Sequence, residues 1–141
     1  MDDAPITMDE LSEPECSDLL AAHHFGRIGV VSGGTQLIFP VNYVYDDGRI
    51  AVRTDPGTKL SAAAQGQVAF EIDEIDEAAR SGWSVLVTGV GYEVTDAIDD
   101  ESEELRRFPV DTWTPGQRSH WIRIEPQRIS GRRLRPTDSP E

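Results

Sequence analysis

Two turn signals, Gly33-Gly34 and Asp47-Gly48, cut residues 27–54 into three short runs of strand-forming residues. Two-residue connections of this kind join antiparallel neighbours and leave no room for a helical crossover. A chain that opens its β region this way is committed to hairpins. The first run, Arg27 to Ser32, is rich in Ile and Val, and the third spans Arg49 to Thr54. The second, Gln36 to Tyr45, puts Leu37, Phe39, Val41, Tyr43 and Tyr45 on one face. Its opposite face carries Ile38, Pro40, Asn42 and Val44, so neither side reads as fully solvated.

Three further strands follow by the same logic. Val68, Phe70 and Ile72 alternate along a fourth, a polar turn covers Ala78 to Gly82, and Ser84 to Thr95 makes a long fifth. His120 to Leu134 forms a sixth, bent at Pro126. The predicted fold class is therefore mainly β with a few short helices, a six-stranded antiparallel barrel, closed or nearly so. Apolar residues on both faces of the second and fifth strands fit a barrel whose outside is covered by a helix or a second subunit.

The helices are few. Ser12 and Glu15 have capping-box spacing with Pro14 in the first turn, and Gly26 reads as the C-terminal stop. Leu11 and Cys16 fit a hydrophobic staple across that cap. Thr58 to Gln65 reads as a short helix with Thr58 as N-cap, closed by Gly66. Asp99 to Phe108 reads as an acidic helix followed by a loop with Pro109, Pro115 and Gly116. The 141 residues contain no internal repeat and no long linker. A single domain over 1–134 with a polar tail over 135–141 is expected.

Charge narrows the partners. The net charge is −13, from 26 acidic and 13 basic residues, and such a surface repels nucleic-acid and membrane phosphates. Neither nucleic acid nor membrane is expected as a partner. One cysteine excludes an intrachain disulfide framework, no leader pattern opens the chain, and no apolar run approaches a membrane span, so a cytoplasmic location is expected. Adjacent His23 and His24 would project about 100° apart on a helix and chelate poorly. The acidic run Asp96 to Glu104 lacks the glycine and alternating ligands of a calcium loop. No nucleophile triad or zinc spacing stands out, so no catalytic or metal-binding side chain is assigned.

The segment Arg53-Thr54-Asp55-Pro56-Gly57-Thr58-Lys59-Leu60 carries the chemistry. A strand runs through a Gly-containing turn into a helix start, where amide N–H groups lack intrahelical partners. Around it stand one guanidinium, one ammonium and two hydroxyls, a set suited to a terminal phosphate monoester. An ordinary strand–turn–helix junction would look much the same, and the order is not that of a Walker loop. The balance is tipped by Lys59, the one lysine of the chain.

Taken in order, several motifs resemble the pyridoxamine 5′-phosphate oxidase-like flavoproteins with a split-barrel fold, especially small actinobacterial-type members of uncertain substrate. They are Gly26-Arg27-Ile28-Gly29, Pro40-Val41-Asn42-Tyr43, Arg53 to Leu60, Val68 to Asp73, Gly82 to Gly89, and Ile129-Ser130-Gly131-Arg132. The resemblance runs from the Leu11 helix to Leu134. It implies that Arg53, Thr54, Thr58 and Lys59 hold the phosphate of FMN. It implies also that Pro40, Val41 and Asn42 lie along the isoalloxazine ring, which would explain a proline inside a strand. Trp83 and Ser84 match the place where a second subunit meets the flavin, so a homodimer is expected. Family members that oxidise pyridoxamine phosphate grip its phosphate with basic and His residues near the C-terminal end. Here Arg118-Ser119-His120 precedes the last strand, and Ser130 to Arg133 supply no histidine, so that reaction is not implied.

The expected function is an FMN-dependent oxidoreductase that passes hydride to a small organic acceptor. Alternatives are a deazaflavin-dependent reductase and a flavin- or haem-binding module without turnover. Trp113 and Trp121 suit either a flavin cover or plain packing.

Overall fold

A computed structural model of the chain describes residues 4–54, 57–94 and 120–137. The elements are β1 (Ile6–Glu10), α1 (Glu13–Ala22), β2 (Phe25–Ser32), β3 (Thr35–Asp46), β4 (Arg49–Thr54), α2 (Lys59–Ala63), β5 (Gly66–Asp76), β6 (Ser81–Val94) and β7 (His120–Pro136). All strand pairs are antiparallel. The order β7-β4-β3-β2-β5-β6 closes on itself through a β6–β7 ladder, and β1 hangs on β7 outside the ring. The expected six-stranded barrel is present, with β1 as an addition. The acidic segment 99–108, the loop after it, Asp55-Pro56, Trp113 and Arg118-Ser119 lie outside the described residues.

Both turn signals behave as their residues dictate. Gly33 and Gly34 have φ of 57° and 80°, and Asp47 and Gly48 have 52° and 74°. Two successive positive φ values match the right-handed twist of the flanking strands.

The inward faces form one core. Ile28 of β2, Tyr43 of β3, Ile50 and Val52 of β4, Phe70 and Ile72 of β5, Val85 and Val87 of β6, and Ile122 and Ile124 of β7 are all buried in it. Helix α1 covers this core with Cys16 and Leu20, both fully buried. Its N-terminus is the predicted capping box: Glu15 N–H donates to Ser12 Oγ at 3.3 Å, and Ser12 N–H donates to Glu15 Oε1 at 3.0 Å. Those bonds to Ser12 hold the Glu15 carboxyl below its ordinary range. Tyr43 ties β3 to the helix by donating its hydroxyl to Leu20 O at 2.7 Å. Burial drives the phenol's pKa up, so it stays a donor.

Four readings need correction. Gly26 does not stop α1, which ends at Ala22 with His23 already extended. Gly26 lies in β2, where a Cβ would stand 2.6 Å from Phe70 Cζ, so it is there for close strand packing. The second helix is shorter than predicted, and Gly66 opens β5. β1 was missed within the polar opening residues. Finally, Arg135 and Pro136 belong to β7, where they pair with Thr7 and Ile6, and not to a tail. No described helix is long and apolar enough to cross a membrane.

Candidate functional site

The strands place the predicted site on the outside of the barrel. β4 pairs with β3 only from Tyr43 to Asp46, whereas β2 pairs with β3 from Thr35 to Asn42. Among the described residues, no strand ladder is recorded on the β4 side of residues 35–41. Tyr43 N–H donates to His24 O, toward β2. Because the N–H and C=O of one residue point the same way, Val41 also turns its backbone to β2. Pro40 and Asn42 turn theirs to the β4 side. Pro40 stands where, among the described residues, no neighbouring strand asks for its missing N–H. Val41 packs inward at 8% exposure, while Pro40 is exposed and Asn42 half-buried on the outer face.

Arg53 lies on that same outer face. Tyr43 pairs with Val52, so Asn42 and Arg53 follow one step on, and Arg53 pairs in turn with Trp121 of β7. Trp121 is buried with Ala51 and Val94 in a second, smaller apolar cluster. The Arg53 guanidinium carbon sits 5.4 Å from the Trp121 ring centroid. Arg53 Nε is buried, and among the described residues it has no hydrogen-bond partner. A guanidinium clamped on an indole with an unsatisfied buried N–H is costly unless an anion meets it.

The rest of the predicted cradle divides. Lys59 and Thr58 are exposed at the start of α2, and Thr58 Oγ1 accepts from Ser61 N at 3.1 Å as the N-cap. Thr54 is 2% exposed and follows Ile50 and Val52 to the inside, so it supports the turn from beneath. Since α2 has five residues, its dipole adds little. The side-chain charges must carry any attraction for phosphate.

Trp83 and Ser84 are elsewhere. Trp83 packs against the main core and meets the His23 ring at 4.8 Å with a 58° tilt. Ser84 pairs with Asp73 and Arg132 and lines a cavity of about 450 Å³ with Arg128, Ser130 and Arg132. Along β6 eleven residues separate Trp83 from Val94, which pairs with Trp121, a contour of roughly 36 Å at about 3.3 Å per residue. One chain thus holds the two halves of the predicted site at opposite ends of a strand.

Sequence reasoning assigned no role to a charged cluster beside these residues. Arg27 Nη1 reaches Glu71 Oε1 at 2.9 Å and Asp73 Oδ2 at 3.2 Å. The alternation of β5 could have revealed it, since Glu71 and Asp73 share the outer face opposite Phe70 and Ile72. Burial and the neighbouring Asp73 push the Glu71 carboxyl up to about 7 despite the arginine. A carboxyl raised on folding binds its proton more tightly in the folded state. Its ionisation therefore costs stability as pH rises from the unfolded value toward 7. Glu71→Gln removes that loss, so its stability relative to the parent should be higher at pH 8 than at pH 5. Urea unfolding at both pH values checks this, and a pH-independent difference would contradict it.

Nearby, the outer face is apolar. Ile38 is 72% exposed, Val31 57% and Leu86 43%, and Ile38 and Val31 border a shallow cavity of about 500 Å³ with Gly29, Ala69 and Thr88.

A family profile described as pyridoxamine 5′-phosphate oxidase matches residues 12–133. An uncharacterized protein of Mycobacterium tuberculosis is 33% identical over 133 residues, covering 89% of this chain and 84% of that one. A solved FAD-binding protein from Mycobacterium smegmatis is 36% identical, with a TM-score of 0.68 over 90% of this chain and 98% of its own. A FAD-binding protein from Mesorhizobium loti is 25% identical, with a TM-score of 0.71 over 92% and 98%.

Proposed function

The chain belongs to the pyridoxamine 5′-phosphate oxidase family, and from that premise we propose that it is a homodimeric oxidoreductase holding FMN between its subunits. The observation that carries this reading is Arg53, whose buried Nε has no hydrogen-bond partner among the described residues. Arg53 and Lys59 would hold the phosphate, with Thr58 alongside and Thr54 bracing the turn. Pro40 and Asn42 would line the ring with their backbone edge, and Val41 would back it from the core side. Trp83 and Ser84 would come from the other subunit, since they lie on β6 eleven and ten residues before Val94, the end of that strand that pairs with Trp121 beside Arg53. The exposed face of Ile38, Val31 and Leu86 offers apolar area for that association.

When bound, the flavin supplies the redox chemistry, passing hydride to a small organic acceptor. The chain supplies position, charge and exclusion of water. A second reading, FAD, is favoured by the similar structures from Mycobacterium smegmatis and Mesorhizobium loti, both described as FAD-binding. A cradle for one terminal phosphate supports the mononucleotide instead.

The test is the mass and absorbance of whatever co-purifies, together with sedimentation of the loaded protein. FMN in a dimer is expected, and FAD in a dimer would leave the flavin reading intact while changing the nucleotide. A haem or deazaflavin spectrum, or a monomer at micromolar concentration that binds FMN, would overturn it.

A further inference from the structure

The outer sides of β3, β2, β5 and β6 form one continuous face, and the strand register fixes what lies at its centre. One row across it runs Pro40, Arg27, Glu71 and Leu86, and the next runs Ile38, Gly29, Ala69 and Thr88. Apolar side chains stand exposed around the middle: Ile38 on β3, Phe25 and Val31 on β2, and Leu86 on β6. Gly29 and Ala69 make a low floor between them, in the cavity of about 500 Å³. Inside this apolar ring sits a charged cluster, where Arg27 Nη1 holds Glu71 Oε1 at 2.9 Å and Asp73 Oδ2 at 3.2 Å. Leu86 is the direct cross-strand neighbour of Glu71. A partner that covers Leu86 and Ile38 together must also cover Arg27 and Glu71, which lie between them.

The cluster joins one cation to two carboxyl groups, so with both ionised it carries an excess negative charge. Glu71 meets Arg27 from β2 and Asp73 on its own strand. From β6 it meets Leu86, flanked by Ser84 and Thr88, and none of these is charged. Arg128 and Arg132 of β7 lie beyond β6, roughly 10 Å from β5 at about 4.8 Å per strand spacing. Glu10 opposes Arg132 in the β1–β7 ladder. Glu74 belongs to the other face of β5, where it approaches His23 at 3.7 Å. Partial burial and Asp73 already push the Glu71 carboxyl up to about 7 in a single chain. Burying an excess charge is costly, whereas a protonated carboxyl beside an arginine–carboxylate pair is neutral and keeps its hydrogen bonds. An isologous contact uses the same patch twice, so it would bring in that excess charge twice.

We propose that Arg27, Glu71 and Asp73 make self-association proton-dependent: when a second copy covers this face, each cluster takes up one proton. The inference rests on the homodimer of the proposed function, whose partner subunit must reach Pro40, in the same row as the cluster. Proton uptake favours the dimer as pH falls. Below about pH 6 Glu71 holds its proton in both forms, and the affinity levels off. Above 7 the monomer has lost the proton that the dimer needs, so association weakens as pH rises. The proton thus controls a flavin site that one chain cannot complete.

The experiment is fluorescence-detected sedimentation of the full chain over a dilution series at pH 6 and pH 9, with Glu71→Gln and Asp73→Asn in parallel. The parent dimer should be about tenfold or more weaker at pH 9 than at pH 6. Glu71→Gln, neutral at both pH values, should associate at pH 9 nearly as tightly as the parent does at pH 6. Asp73→Asn leaves Arg27 a single carboxylate and should likewise lose the pH dependence. The histidines titrate over part of the same range but remain in every variant, so a dependence carried by them would survive both substitutions. A parent dimer equally tight at both pH values, or a dependence that survives both substitutions, overturns the proton uptake and leaves the homodimer standing. A chain that is monomeric at every pH and dilution overturns both.

Discussion

Riboflavin should bind this protein roughly 100-fold or more weakly than FMN. The two ligands share ring and ribityl chain, so the difference isolates the phosphate. That phosphate is expected to meet Arg53, held over Trp121, and exposed Lys59. Charge-assisted hydrogen bonds contribute about 1.5–3 kcal/mol each, so two of them amount to roughly 10²- to 10⁴-fold in affinity. The lower end is the safer expectation because the contacts share one anion and Lys59 is solvated. Riboflavin also brings no anion to the buried Arg53 Nε, which has no hydrogen-bond partner among the described residues.

Lys59→Ala should then cost FMN about tenfold and riboflavin almost nothing, and flavin fluorescence titration reads both. Salt is a poorer discriminator here. It weakens the cradle, but it also relieves the repulsion between the phosphate and a chain of net charge −13, so the two effects oppose. Equal affinities for FMN and riboflavin would place the phosphate elsewhere and remove the main support for a mononucleotide.

What could be read from the residues is what is local. Gly33-Gly34 and Asp47-Gly48 set hairpins whose partners are neighbours in sequence, and Ser12 with Glu15 sets a cap within one helical turn. β1 was illegible because its partner is at the far end of the chain, Ile6 against Pro136, and its five residues are mostly exposed. A bend at Pro126 was expected, but the register shift beside it, between Thr88 and Gly89 of β6, acquires meaning only when β6 and β7 pair. Gly26 misled because a glycine after a helix suits a C-terminal stop and a close strand contact equally well, and only Phe70 across the sheet decides.

The site divides the same way. Arg53 and Lys59 stood out through a turn motif in one stretch of chain. The inward turn of Thr54 was available from simple alternation with Ile50 and Val52, but the motif drew attention to its hydroxyl instead. Trp83 and Ser84 were marked by the family resemblance alone, since no periodicity within one chain sets them apart from other strand residues.

Gly91→Ala should be among the most damaging single-methyl changes this chain can suffer. Gly91 is buried in β6 between Gly66 of β5 and Ile124 of β7. A Cβ there would overlap the carbonyl oxygen of Ala64, the C-cap of α2. A side chain could rotate away, but this obstacle is backbone. It is held in turn by the Ala64 N–H bond to Leu60 O at 2.9 Å. Relief requires moving α2 off the barrel, and with it Leu60 and Ala64 out of the core. Overpacking of a rigid core costs typically about 1–3 kcal/mol, and a fixed backbone obstacle belongs at the upper end, about 3 kcal/mol. That is a large part of the stability of a domain this size. Gly29→Ala is the control: the nearest atom to its added Cβ would be Ala69 Cβ at 3.7 Å, an ordinary contact, and its effect should stay within about 0.5 kcal/mol. Urea unfolding of both variants reads the difference. Because α2 begins at Lys59, any Gly91→Ala protein that still folds should also bind FMN more weakly, whereas Gly29→Ala should not. A Gly91→Ala protein as stable as its parent would mean that α2 does not rest on β6, and the position of Lys59 at the start of that helix would lose its structural basis.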